Sequence, residues 1–408
     1  NLAHTCRDGL LLFWRWFVSE LSLETLCEFN TLNIVLCHNS KDNNVFISYG
    51  LQTMKIVADE NLAFTDYFFS EFGDIQHKAG RTLTHTDVQD AEALLVRSVT
   101  AVNESLIQNT ALKYVGSATI GTDHLDIQAL EKQGITWANA AGCNAQAVAE
   151  YVITALLHLD ASLLEQQEKF TLGIVGLGNV GKRLAYMAQL LGWKVIGFDP
   201  YVQLDSIENV SFQALLQQAN AVSIHVPLTK KGEHATYHLF DEKAFAALQP
   251  NTILINSARG PVVKEAALIE DIQHTQRKVV LDVFEHEPVI SEELLNMLAL
   301  ATPHIAGYSL EGKARGTQMI YEAFCQKFGY DINKRFETQL PACEDYFSGH
   351  DLKAVLKQKL SQIYDIAQDD ANIRACVKEG KVEQKAFDLL RKNYPLRREW
   401  AAHGGPQA

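Results

Sequence analysis

The stretch 171–200, TLGIVGLGNVGKRLAYMAQLLGWKVIGFDP, limits the possible folds more than any other part of this chain. Leu172–Val175 is a short apolar run suited to a strand buried on both faces. Gly176-Leu177-Gly178-Asn179-Val180-Gly181 comes next, then Leu184, Met187, Leu190 and Leu191 at helical spacing, with Gly192 as the stop. A second strand, Lys194–Phe198, ends at Asp199. Gly176 permits a tight turn, Gly178 lets the backbone approach a pyrophosphate, and Gly181 lets the helix lie close on the strand with its first N–H groups towards the phosphates. Asp199 stands about 20 residues past the glycines, where a carboxylate accepts hydrogen bonds from a ribose diol and repels a 2′-phosphate. Strand, glycines, helix, strand and acid in this order predict an α/β unit binding NAD in preference to NADP. A glycine-rich turn of another kind would leave Asp199 unexplained.

The rest of the composition narrows the class. A chain of 408 residues has room for two or three domains. Its formal charge of −13 argues against a nucleic-acid partner, and no apolar run is long enough for a membrane span. Cys6, Cys27, Cys37, Cys143, Cys325, Cys343 and Cys376 form no C-x-x-C pair, which fits reduced thiols in a cytoplasm and no metal site.

Residues 1–53 read differently from the rest of the chain. Leu10–Val18 is apolar but short and interrupted by Arg15, with neither the basic start nor the cleavage site of a signal peptide. Met54-Lys-Ile-Val-Ala-Asp-Glu-Asn begins like the first strand of an α/β domain, so residues 1–53 are expected to be an extension upstream of a start at Met54. Strands are predicted at Lys55–Ala58, Ala93–Val96 and Lys113–Gly116, and a helix at Leu62–Phe72. Loops after strand ends hold ligands in open α/β sheets, which makes Ser98 and Thr119 candidates for an anionic substrate, against ordinary turn chemistry. Ala145–Leu159 reads as one apolar helix leading to the dinucleotide unit; Cys143 before it lacks a histidine partner and reads as an inert thiol.

Further strands, Ala221–Val226, Thr252–Asn256, Lys278–Phe284 and Leu300–Thr302, deliver polar groups to the cofactor edge. Arg259, Glu287 and His304 come from three successive strand ends. Oxidation of a 2-hydroxy acid needs a cation for the carboxylate, a base for the hydroxyl proton and a group that orients the base. Arg259 has the planar fork for the first role and His304 the imidazole for the second, with Glu287 on the other ring nitrogen fixing the tautomer. His225 and His286 are the rival histidines, the one expected beneath the cofactor, the other in a solvated acidic run.

These residues resemble the D-isomer-specific 2-hydroxyacid dehydrogenases, through GLGNVG, NSARGPVV (256–263), LDVFEHEP (281–288) and PHIAGYSLEGKARG (303–316). The resemblance runs from Met54 onward and implies a Rossmann-type doubly wound parallel sheet for NAD, a second flavodoxin-like α/β substrate domain and a small C-terminal α+β dimerisation domain. It implies boundaries of 54–145 for the substrate domain, 146–312 for the NAD domain, 313–335 for a return helix and 340–408 for the dimerisation domain. Catalytic Arg259, Glu287 and His304 follow from it, with NAD contacts at Gly176, Gly178, Asn179, Val180, Gly181, Asp199, Val226, Ser257, Ala258, Arg259, Asp282 and Gly307. Substrate contacts at Ser98, Thr119 and Tyr308 are implied as well. Within the family, FDLLRKNYPLRREW (387–400) is similar to a branch acting as homodimers on a small phosphorylated hydroxy acid.

A phosphate calls for cations, and Arg97 is at hand. Arg391, Lys392, Arg397 and Arg398 are expected either to reach the site from a partner subunit or to be a solvated helix face. The tail after Trp400 is expected to be disordered. The competing readings are a dehydrogenase for another acid, of 3-phosphoglycerate or glyoxylate type, and a non-enzymatic NAD(H)-sensing protein of the same fold.

Overall fold

The computed structural model describes residues 34–39, 44–49, 53–395 and 397–407. The chain forms two compact units, Asn1–Met54 with Phe72–Asp74, and Lys55–Glu71 with Ile75–Ala408. In the first, β1 (Ile34–Asn39) and β2 (Asn44–Tyr49) pair antiparallel. The expectations for the remainder of residues 1–53 lie outside the described residues.

Two sheets carry the rest. β3 (Met54–Asp59), β4 (Gly73–Lys78), β5 (Ala93–Val96), β6 (Tyr114–Ser117) and β7 (Thr136–Asn139) form a five-stranded sheet in the order β4-β3-β5-β6-β7. Its central strands β5 and β6 are parallel and buried along their whole length, as expected where both faces are covered. β4 and β7 were not legible as strands. They are half-exposed edges, GDIQHK and TWAN, without the continuous apolar run of a central strand.

The chain then enters α1 (Ala145–Leu159), buried at every position from Ala145 to Leu157. A helix apolar all round belongs in a core, and α1 packs against α2 (Asn179–Leu190). β8 (Thr171–Val175), β9 (Lys194–Phe198), β10 (Glu208–Asn209), β11 (Ala221–Ile224), β12 (Ile253–Asn256) and β13 (Val279–Leu281) come next, then β14 (Ile290–Ser291) and β15 (Leu300–Ala301). All but β14 form a parallel sheet ordered β10-β9-β8-β11-β12-β13-β15. The order reverses between β8 and β11, which places the crevice of a doubly wound sheet at the glycine loop. The strand expected to run to Phe284 stops at Leu281, because Asp282 turns into hydrogen bonds with residues 302–306.

α3 (Leu310–Phe328) returns to the first sheet, where Tyr114 Oη donates to Ile320 O at 2.7 Å. It starts where Ser309 Oγ accepts from Gly312 N–H, 2.9 Å, and ends at Gly329 with φ +74°. The helix expected at Leu62–Phe72 is confined to Thr65–Phe69. Near the C-terminus β16 (Val377–Lys378) and β17 (Lys381–Val382) join β14 in a small antiparallel sheet, ahead of α4 (Gln384–Lys392).

Residues 401–407, after Trp400, fold back on the chain, contrary to expectation. Trp400 is 1% exposed against Phe347, its N–H donates to Glu150 Oε1 at 2.9 Å, and Gly405 N–H closes back on Trp400 O at 2.8 Å. One large apolar side chain and a buried acceptor on α1 hold a stretch whose own composition suggests no packing.

Candidate active site

The three loop glycines have three different physical reasons. Gly176 sits at φ +97°, and a Cβ there would lie 2.7 Å from the His225 backbone, so the turn presses against the end of β11. A Cβ on Gly181 would collide with the Gly176 carbonyl, which is the close helix-on-strand approach expected of it. A Cβ on Gly178, where α2 begins, would meet nothing within 4 Å. That open face in front of the first N–H groups of α2 fits a pyrophosphate. Asn179 and Val180 open α2, and Asn179 packs under Gly142.

Asp199 stands at the end of β9, half-buried, and is engaged by the loop itself. Oδ2 accepts from Leu177 N–H at 2.9 Å, and Oδ1 from Tyr201 N–H at 2.8 Å and Val202 N–H at 3.0 Å. The carboxylate thus ties the glycine turn to the second strand, and Oδ2 keeps lone-pair capacity for a ribose hydroxyl. Val226 lies just past β11, against the turn at Gly176. Ser257 Oγ is buried without a hydrogen-bond partner among the described residues, an orphan that a bound dinucleotide would satisfy. The residues present therefore fit NAD.

Arg259 leaves the end of β12 in a turn braced by Asn256, whose amide donates to Arg259 O at 3.0 Å and whose Oδ1 accepts from Ala258 N–H at 3.1 Å. Gly260 lies so close to the Phe284 carbonyl that no side chain fits, which brings the Arg259 turn against the segment leading to Glu287. The guanidinium faces the first sheet's loop at Gly121 and stands 3.4 Å from Asp123 Oδ2, which is exposed.

Glu287 Oε1 and His304 Nδ1 are 2.9 Å apart, and Glu287 Oε2 accepts from Phe284 N–H at 3.2 Å. Burial pushes the Glu287 carboxyl up, but the charge and hydrogen bond of His304, the Phe284 N–H and the charge of Arg391 outweigh it and hold it below the usual range. With Nδ1 taken, Nε2 of His304 has no partner among the described residues. The His304 backbone has φ +58°, a left-handed conformation uncommon for a side chain of this kind and held here by its surroundings. Asp282, 1% exposed, is one such hold: it accepts from Thr302 Oγ1 at 2.7 Å, Ile305 N–H at 2.7 Å and Ala306 N–H at 3.0 Å. Gly307 abuts Asn144, whose buried Oδ1 has no hydrogen-bond partner among the described residues.

The rival histidines are elsewhere engaged. Desolvation pushes His225 down to about 3, so it stays neutral, and it pairs with Ser223 Oγ at 2.8 Å. His286 is exposed. Glu285 beside it serves structure, accepting from Glu265 N–H at 2.7 Å and facing His238. Burial pushes the Cys143 thiol up to about 12, which leaves it inert.

Of the substrate candidates, Ser98 lies exposed in the turn after β5, and Thr119 Oγ1 is 2.9 Å from Ser117 Oγ. Tyr308 lies half-buried against Tyr394, four residues past His304. The basic cluster divides. Arg397 is 8% exposed and donates to the carbonyls of Ile305 (3.1 Å), Tyr308 (3.2 Å), Ala147 (3.1 Å) and Ala306. Arg398 bonds Glu311 Oε1 and Pro341 O, both at 2.6 Å. Neither reaches for a substrate of a partner subunit or forms a solvated face: Arg397 is a clamp on the segment that carries His304 and Tyr308. Its acceptors are backbone oxygens from distant parts of the chain, which no local pattern could have revealed. Arg391 stands over the ring of Tyr308, within its own subunit.

Comparison with known proteins agrees with this geometry. The family model "D-isomer specific 2-hydroxyacid dehydrogenase, NAD binding domain" matches residues 155–306, and a domain of unknown function matches residues 346–403. Over 355 residues, 87% of this chain and 100% of the relative, the sequence is 99% identical to the erythronate-4-phosphate dehydrogenase of Acinetobacter baumannii (strain ACICU). It is 71% identical over the same length to that of Acinetobacter baylyi. Among solved structures, the D-lactate dehydrogenase of Aquifex aeolicus complexed with NAD and lactic acid shares the fold with a TM-score of 0.57 and 22% identity, over 67% of this chain and 96% of that one.

Proposed function

The chain belongs to the erythronate-4-phosphate dehydrogenases, within the D-isomer-specific 2-hydroxyacid dehydrogenases, and on that premise we propose how its residues oxidise 4-phospho-D-erythronate to 3-hydroxy-2-oxo-4-phosphooxybutanoate, a step of vitamin B6 biosynthesis. Bound NAD supplies the hydride acceptor. Gly176, Gly178 and Gly181 and the start of α2 hold its pyrophosphate, Asp199 its ribose, and Val226, Ser257, Ala258, Asp282 and Gly307 line the remainder. Residues 54–145 with the return helix supply the acid's half of the cleft, and 146–312 the cofactor's.

Arg259 pairs with the substrate carboxylate and stabilises charge on the oxygen as the carbonyl forms. His304 takes the C2 hydroxyl proton at Nε2 as hydride leaves the same carbon, and Glu287 keeps Nδ1 protonated and the ring in place. The reverse reaction runs with the proton starting on Nε2. The observation that carries this reading is the 2.9 Å pair between Glu287 and His304 with the other ring nitrogen left unpartnered. The segment from about Leu340 joins two copies in this reading, and the free thiols Cys143, Cys325, Cys343 and Cys376 suit a reducing cytoplasm.

Purified protein with NAD should produce NADH absorbance on addition of 4-phospho-D-erythronate, with kcat/KM at least tenfold above that for D-3-phosphoglycerate or the glyoxylate-type acid glycolate. Faster turnover of either competitor, or none with any acid, would overturn the assignment. Light scattering showing a monomer would remove the homodimer.

A further inference from the structure

Two cations from two helices stand at the ring of Tyr308, and a third lies within electrostatic reach of them. Lys313, in the first turn of α3, holds Nζ 4.4 Å from the ring centroid, and Arg391, in the last turn of α4, holds Cζ 5.8 Å from it. Burial first, and then the charges of Arg97 at the end of β5 and of Arg391, lower the Lys313 ammonium to about 8. The strand order of the first sheet reverses between β3 and β5, so Arg97 and its neighbour Asp59 stand in that sheet's own crevice.

These charges are underpaired. Among the described residues neither Lys313 nor Arg391 has a carboxylate partner, and Arg391 Nε is buried without a hydrogen bond. Arg97 spends Nε on Asp59 Oδ1 at 3.0 Å, which leaves both terminal nitrogens of its fork unpaired. The negative groups facing the cluster are Asp59, which serves Arg97, and Glu287, which serves His304 and also feels Arg391. Carboxylates outnumber Lys and Arg 49 to 36 in this chain, so a half-buried surplus of cations is not an overflow of composition. Like charges held together partly out of water disfavour one another, unless an anion joins them. Nor is the arrangement loose. α4 is tied to the first sheet's side by Arg81 to Asp388 at 2.6 Å, beside Arg391.

We propose that Arg97, Lys313 and Arg391 of one subunit form the subsite for the substrate's phosphate, and that they set the preference for a phosphorylated hydroxy acid over its unphosphorylated counterpart. The proposal rests on the dehydrogenase reading above and deepens it. Arg259 takes the carboxylate end, the trio takes the phosphate end, and the C2 hydroxyl is left for His304. A phosphate dianion offers three oxygens to two guanidinium forks and one ammonium, and each charge-assisted bond adds both energy and register.

Lys313→Met and Arg391→Met, which keep most of the apolar stem, test this against Lys313→Arg. Each Met variant should raise KM for 4-phospho-D-erythronate about 10- to 100-fold, and at least tenfold more than KM for D-erythronate. Lys313→Arg should recover most of the loss. Equal effects on the two acids, or none, would overturn the subsite. A calorimetric titration of the NADH-bound protein with the same two acids separates this from failure of the functional reading. If no acid is turned over but the phosphorylated one still binds more tightly, and the Met variants abolish that difference, the subsite stands while the dehydrogenase assignment falls. If the unaltered protein binds both acids equally, the subsite falls.

Discussion

Two corners of one cleft treat charge in opposite ways. At the Glu287–His304 corner every charge has a partner: Glu287 faces Nδ1 at 2.9 Å and a backbone N–H at 3.2 Å, and Asp282 beneath accepts three hydrogen bonds. At the Tyr308 corner, four residues on, Lys313 and Arg391 have no counter-ion among the described residues. A corner that moves a proton must be complete before the substrate arrives, because a loose imidazole loses both tautomer and aim. A corner that selects an anion must be incomplete, because a paired guanidinium has nothing left to offer. On the proposed roles, saturation of hydrogen bonds tells the two tasks apart where charge alone does not.

The hardest blow to the contrast is His304→Asn. Asn tolerates the left-handed backbone at φ +58° but cannot serve as the base, so kcat should fall about 10³-fold while NADH affinity, read by fluorescence titration, holds. A kcat within tenfold of the unaltered enzyme would move the base elsewhere. Next comes Arg397→Met against Arg391→Met, two arginines six positions apart. The first strips a cation from four backbone carbonyls and should cost about 3 kcal/mol of stability, lowering Tm by about 4 °C. The second removes an underpaired charge and should leave Tm within about 2 °C. Equal melting losses would erase the distinction between clamp and subsite.

A smaller effect sharpens the Tyr308 corner. With Lys313 held at about 8, its charge is present below that pH and lost above it, facing Arg97, Arg391 and the Tyr308 ring throughout. A substrate phosphate, with its second pKa near ~6, stays dianionic over this range. Thus kcat/KM for the phosphorylated acid should fall about tenfold between pH 7 and pH 9, and Lys313→Arg should flatten that limb of the profile. The smallest effect belongs to Lys392, next to Arg391 but exposed and 3.8 Å from Glu60. Lys392→Ala should change stability by about 0.5 kcal/mol or less in a denaturant titration and leave substrate preference alone.

How much of this was legible in the chain varies with the distance over which the physics acts. Gly176, Gly181 and Asp199 were readable because turn, close packing and carboxylate lie within one βαβ unit. Arg259, Glu287 and His304 were readable as strand-end residues on one edge, and the structure adds the braces: Asn256, Asp282 and the left-handed turn at His304. The edge strands Gly73–Lys78 and Thr136–Asn139 escaped because a half-exposed edge needs no apolar run. Arg391 and Arg397 look alike in FDLLRKNYPLRREW, and only their partners, set by distant backbone, separate them. The polar, glycine-rich tail after Trp400 was misjudged, since what anchors it is Trp400, whose N–H is held by Glu150 on α1.

The clamp at Arg397 has a consequence for how the molecule comes into being. Its bond to Ala147 closes a loop of 250 residues, among the widest the backbone makes here. Contacts of such span reward the chain only after a long loop has closed. The segment bearing His304 is therefore locked only when α1 and the C-terminal segment have met, and refolding should restore the helical signal before turnover; simultaneous return of the two in a refolding time course would contradict this.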